Sequence, residues 1–162
     1  MKVHCIALTL LVFSALLTTS MVSVAQQTVV PADKQEKFDP KRDSEKDLAE
    51  AIKIATKDKK RILLDVGGEW CSWCHKLDKL FKTDAEVAAT LKQKFVLVKV
   101  NFSPENENKQ FLAKYPKIQG YPHLFVLEST GKLLHSQDTG LLETGDHHDH
   151  DKVMTFLKKW SN

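Results

Sequence analysis

The stretch Gly67-Gly-Glu-Trp-Cys-Ser-Trp-Cys-His75 holds the residues best suited to chemistry. Cys71 and Cys74 are spaced C-x-x-C, the mark of a dithiol redox pair. With His75 the same letters read C-x-x-C-H, the mark of covalent haem attachment. Thiolate and imidazole together also ligate metals. A second group, "GDHHDHDK", sets His147, His148 and His150 among acids and suits zinc or copper. Five letters do not choose among these chemistries, so the elements around them must.

The chain has 162 residues, 42% of them hydrophobic and 28% charged, which suits one soluble domain with a modest core. Lys2 is followed by an apolar run over 6–17, broken by Thr9 and Ser14, and then by Ser23-Val-Ala25. This reads as a secretory signal peptide over 1–25, cleaved after Ala25. The run is short for a bilayer about 30 Å thick, so no stable membrane insertion is expected after cleavage. Cys5 leaves with the leader, and both remaining cysteines then belong to the C-x-x-C pair. That pair closes too small a loop to be a structural staple. Net charge is only +3, and no basic stripe interleaved with aromatics occurs, which excludes a nucleic-acid partner.

Residues 26–43 are polar and contain Pro31 and Pro40, so they read as a flexible lead-in to a domain over 44–162. Ser44 and Asp47 resemble a capping box, followed by Leu48, Ile52 and Ala55 at helical spacing, which predicts a helix over 44–57. A short apolar run over 61–66, carrying Asp65, predicts a buried strand that ends at Gly67-Gly68. Leu77, Leu80 and Phe81 form one face of a helix that begins near Cys71. Thr83 and Glu86 suggest a second capping box, with a helix running to Lys94. A strand over 95–100 carries Lys99. A helix over 106–115, strands at 123–127 and from 133, a turn over 129–132 and a last helix around Val153, Phe156, Leu157 and Trp160 complete the order. The first two strands should be parallel and the last two an antiparallel hairpin. The fold class is therefore α/β, with a small mixed sheet of about four strands and helices on both faces.

Read together, "ILLDVGGEWCSWCHK", "FVLVKVNFS" and "KIQGYPHLFVL" resemble the thioredoxin family over roughly residues 44–161. Gly131 and Gly140 also fall where that family has glycines. The resemblance implies a thioredoxin-like fold and thiol–disulfide oxidoreductase activity with no bound cofactor. It implies that Asp65 lies beneath the cysteines and handles the proton of the resolving thiol, that Lys99 accompanies it, and that Pro122 is a cis-proline beside the disulfide. Trp70, Trp73 and Tyr121 would line the substrate-binding surface with Pro122.

Physical chemistry gives the two cysteines different roles. A cysteine at a helix N-terminus meets unpaired N–H groups and the positive end of the dipole, which favour thiolate. Cys71 is then the nucleophile, and Cys74, one turn in, resolves the mixed disulfide. Ser72-Trp73 replaces the family's usual Gly-Pro, Tyr121 and His123 flank the proline, and His75 stands where a basic residue is usual. These departures bear on potential and partner. An imidazole beside the sulfurs would make the pair more oxidising, whereas one turned to solvent would not.

The haem reading leaves Asp65 and Gly120-Tyr-Pro122 unexplained. The copper- or zinc-handling alternative combines the C-x-x-C pair with a His-rich loop that carries His147, His148 and His150. The partners expected are disulfide-containing or dithiol proteins in the periplasm. Reduction, oxidation and isomerisation all stay open at this point, and a membrane electron-donor or electron-acceptor protein is a further expected partner; a reductant works in an oxidising compartment if such a donor keeps it reduced.

Overall fold

A computed structural model describes residues 37–161. The expected leader over 1–25 and the lead-in as far as residue 36 lie outside the described residues.

Helix α1 (Ser44–Asp58) is capped by Asp43, whose carboxylate accepts from the Glu45 and Lys46 N–H groups. The expected cap, Ser44, is instead the first helical residue. Asp47 does not reach back to close a box, because Arg42 holds it in an ion pair at 2.5 Å. The same one-residue correction applies at α3 (Ala85–Lys94), where Asp84 and not Thr83 is the cap. Thr83 closes α2 (Ser72–Thr83), and its hydroxyl donates to the Lys79 carbonyl. At both sites an aspartate adjoins the hydroxyl residue and caps at least as well.

Strands β1 (Arg61–Gly67) and β2 (Phe95–Asn101) are parallel, with Asp65 opposite Lys99. Their crossover is made by α2 and α3. On the other side of β1 lies β3 (His123–Leu127), antiparallel, and β4 (Leu133–Asp138) pairs with β3. The sheet order is β2-β1-β3-β4. The β3–β4 turn needs Gly131, whose φ of +89° is left-handed.

The helix expected over 106–115 contracts to α4 (Lys109–Leu112). Asparagine side chains take the backbone groups that a longer helix would use. Asn106 Oδ1 accepts the Asn108 N–H at 3.0 Å, and Asn108 Nδ2 donates to the Asn101 carbonyl at 2.7 Å. The "GDHHDHDK" region, expected as a loop, contains half of a two-stranded ribbon, β5 (Glu143–Thr144) with β6 (His147–His148). Asp149 then caps α5 (His150–Trp160).

Strand alternation sorts the core into two layers. Ile62, Leu64 and Val66, with Val98 and Phe125, face Ala51 and Ala55 of α1 and Phe111 of α4. Leu63, Phe95 and Leu124 face Leu77 and Phe81 of α2, Leu91 of α3 and Leu157 of α5. Asp65 and Lys99 belong, by the same alternation, to the second face, under α2.

Leu77 is fully buried and pins α2 to the sheet. Leu77→Ala should lower the unfolding free energy by about 2–5 kcal/mol, read by urea denaturation. A loss within the range of a surface substitution would mean that α2 is not anchored there.

Candidate active site

The loop between β1 and α2 is tight because two glycines allow close approach. A Cβ on Gly67 would lie 2.5 Å from Cys74 Sγ, and one on Gly68 would lie 2.7 Å from the Phe102 carbonyl oxygen. Cys71 is the N-cap of α2, and its sulfur accepts the Cys74 N–H at 3.1 Å. Cys71 and Cys74 are joined in a disulfide, and both are buried.

Gly67 meets Cys74 on the face of β1 that α2 covers. Asp65, two residues earlier, faces the same way. It is wholly buried, as is its partner Lys99, whose Nζ lies 3.2 Å from Asp65 Oδ2. Neither side chain points to solvent. Lys99 Nζ also lies 2.8 Å from Asp78 Oδ1, and Asp78 in turn pairs with Lys82 at 2.7 Å. One buried ammonium is thus shared by two carboxylates.

The electrostatics follow from that sharing. Burial pushes Asp65 up; the Lys99 charge and hydrogen bond pull it back, Asp78 adds to the rise, and the net is a raised carboxyl. Asp65 Oδ1 has no hydrogen-bond partner among the described residues, so it is the oxygen placed to carry a proton. Partial burial pushes Asp78 up as well, but hydrogen bonds from Lys82 and Lys99 outweigh it and hold the carboxyl low. Burial pushes Lys99 down, and Asp65 and Asp78 together outweigh it and keep its ammonium charged.

Around the disulfide the surface is aromatic. Trp70 is 57% exposed, donates Nε1–H to the Phe102 carbonyl at 2.6 Å and meets Tyr121 edge-on at 5.7 Å. Tyr121 stacks on Phe102 at 4.7 Å. The Tyr121–Pro122 peptide bond is cis, and the Pro122 carbonyl accepts the Thr139 hydroxyl.

A family model described as thioredoxin-like matches residues 43–129. The chain belongs to the thioredoxin-like family. It is 30% identical over 95 residues to a disulfide bond reductase, DsbH, from Chlamydia pneumoniae, covering 53% of this chain and 57% of that protein. It is 29% identical over 92 residues to the thiol:disulfide interchange protein DsbD of Actinobacillus pleuropneumoniae, covering 56% of this chain and 16% of that protein. The chain therefore spans little more than half the length of one curated relative and a small part of the other. Among solved structures, a disulphide isomerase from Xylella fastidiosa is similar with a TM-score of 0.68 at 24% identity, over 77% of this chain and 96% of that one. At that identity the likeness shows the fold alone.

Within this thioredoxin-like frame the other candidates part company. His75 is half-exposed and its Nε2 lies 2.8 Å from the Glu69 carbonyl oxygen, turned toward the loop and not toward the sulfurs. The haem reading does not account for this arrangement: both sulfurs are buried and bonded to each other, the oxidised form of a dithiol pair. The three histidines of the metal reading do not come together. His147 is exposed beside Asp146, His148 is buried against Trp73 at 5.4 Å, and His150 pairs with Asp84 at 2.8 Å. No cluster able to hold a metal ion occurs among the described residues. Burial pushes His148 down to about 4, and nearby Lys76 and His147 add to it, so it is neutral at physiological pH.

Two residues at the site escaped the sequence reading. Asp78 lies four residues after Cys74, on the same helix face, and that spacing was the available signal. Phe38 stood as a lone aromatic in a polar lead-in. It is in fact 2% exposed and packs with Cys71 and Cys74, so the lead-in is not free from Lys37 onward.

The raised Asp65 carboxyl has a definite sign in stability. The folded chain binds that proton more tightly than the unfolded chain, so stability falls as pH rises from the ordinary 3.8 through the raised folded value. Asp65→Asn lacks this loss. Its stability advantage over wild type should open with rising pH and then level off, read by denaturation across a pH series. Asp78→Asn removes a neighbouring negative charge and leaves Lys99 to Asp65, so the pH-dependent loss should move to lower pH. A wild-type-to-Asp65→Asn gap that stays constant with pH would place Asp65 in water.

Proposed function

We propose that the chain is a thiol–disulfide oxidoreductase acting on protein disulfides outside the cytosol. The observation that carries this is the Cys71–Cys74 disulfide at the α2 N-cap, set beside a wholly buried carboxyl group. In the reduced form, the helix N-terminus and the Cys74 N–H favour thiolate at Cys71. That thiolate attacks one sulfur of a partner disulfide. The partner S–S bond breaks, a mixed disulfide forms on Cys71, and the partner's other sulfur leaves as a thiolate that takes a proton from water. The Cys74 thiol then gives its proton to Asp65 and attacks Cys71 Sγ. The second partner sulfur leaves, is protonated, and the Cys71–Cys74 bond closes. The partner is reduced by two electrons and the dithiol is oxidised by two.

Lys99 positions Asp65 and sets its charge. Trp70, Trp73, Tyr121 and Pro122 form the surface that receives the partner, with main-chain pairing at Tyr121. The chemistry needs no bound cofactor. The relative from Chlamydia pneumoniae is described as a disulfide bond reductase, which supports the reductive direction here. A leader over 1–25 would carry the chain across the inner membrane to the periplasm, where a membrane electron-donor protein keeps the pair reduced. No helix among the described residues is long and apolar enough to cross a membrane.

Trapping tests the roles. Cys74→Ser should accumulate mixed disulfides with partner proteins, because the resolving thiol is gone, and Cys71→Ser should trap few. Equal trapping, or the reverse order, overturns the assignment. The reductive direction further expects a Cys71–Cys74 potential near thioredoxin's, about −270 mV, whereas a value near −120 mV would make the chain an oxidant.

A further inference from the structure

The buried charges beneath the disulfide need a dry compartment, and neither the sheet nor α2 closes it alone. The missing wall comes from the lead-in. Phe38 is 2% exposed although its neighbour Lys37 is exposed. Its ring packs in one cluster with Cys71 and Cys74. Lys99 Nζ lies 4.3 Å from the ring centroid, over its face. At Gly67 the ring and the sulfur converge, since a Cβ there would lie 3.1 Å from Phe38 Cζ and 2.5 Å from Cys74 Sγ. Glycine at 67 leaves the space that Phe38 enters.

The segment that delivers the ring is tied on three sides. The Phe38 N–H donates to Glu69 Oε1 at 2.8 Å, from the loop that carries the cysteines. Asn106 Nδ2 donates to the Pro40 carbonyl at 2.9 Å, from the loop after β2. Arg42 pairs with Asp47 of α1. Each tether reaches a different element, so the strap is held across the site and not merely along it.

We infer that Phe38 is a positioning residue of the dithiol site, the wall that keeps water from Cys74, Lys99 and Asp65. A buried ion pair is strong only while water is kept out, because the effective dielectric sets its strength. The ring does this and also meets the ammonium with its negative face. Loss of the ring admits water beside Lys99 and bares the resolving sulfur. For its effect on exchange the inference rests on the proposed oxidoreductase reading. For its effect on access it rests on geometry alone.

The test is alkylation of Cys74 by iodoacetamide in the reduced, full-length Cys71→Ser protein, located by peptide mass mapping. Adding Phe38→Ala should speed Cys74 alkylation by at least about tenfold, since cysteine reactivity follows exposure. Phe38→Leu, which keeps an apolar plug, should restore most of the protection. Amide exchange at Val98 and Leu124 reports the rest of the core and should stay slow in both variants. Unchanged alkylation in Phe38→Ala overturns the inference. So does loss of protection at Val98 and Leu124 together with Cys74, because Phe38 is then an ordinary core residue. No partner protein takes part, so this result and the trapping result can fail separately.

Discussion

One ammonium group between two carboxylates, all at least partly withdrawn from water, is the constraint that orders this molecule. An isolated ion in such a place costs several kcal/mol even after relaxation. Lys99 avoids that cost by meeting Asp65 across the β1–β2 register and Asp78 from α2 above. The three can meet only if β1 and β2 are parallel neighbours and α2 packs on that face. The crossover connection through α2 and α3 provides both. The same placement brings Cys74, one turn before Asp78, onto Gly67, two residues after Asp65. The charge cluster and the disulfide are therefore one construction. With one positive charge for two carboxylates, the better-solvated Asp78 is held low and Asp65 is raised, so Asp65 is the carboxylate poised to take up a proton.

Above this interior the site changes character. Trp70 is largely exposed, and its indole N–H, Phe102 and Tyr121 form a continuous aromatic wall on one side of the cysteines. On the other side Trp73 rests edge-on against the neutral ring of His148. An open groove beside Trp70 continues the first wall over Phe38 and Pro40. The aromatic surface and the buried charge cluster are separated here by little more than the thickness of a disulfide and one phenyl ring.

The dithiol, the strand acid and the strand lysine were legible in the sequence because each breaks a local pattern: cysteines at helical pitch, and charges inside apolar runs. Four strands and the two-sided layering followed from periodicity for the same reason. What was misread had a competing local interaction. Asp43 and Asp84 took the caps assigned to Ser44 and Thr83, since an aspartate stood next to each hydroxyl. The helix expected over 106–115 lost its start to Asn101, Asn106 and Asn108, whose side chains bond the backbone directly. His147, His148 and His150 looked like one cluster, but a short ribbon and a helix start send them to three different surroundings. Phe38 was invisible for a different reason: its role is defined by what lies across space, which neither motif nor periodicity reports. Asp78 left only its four-residue spacing from Cys74.

The central claim is that Asp65 takes the proton of Cys74 when a mixed disulfide is resolved. Single-turnover reduction of a model disulfide protein, quenched and separated by mass, follows attack and resolution as distinct steps. Asp65→Asn keeps the shape and removes the base. The account predicts that resolution slows by up to about 10²-fold, the low end for general-base catalysis because water substitutes in part, while attack by Cys71 changes much less. Equal resolution rates in wild type and Asp65→Asn would contradict it and leave Cys74 without its base.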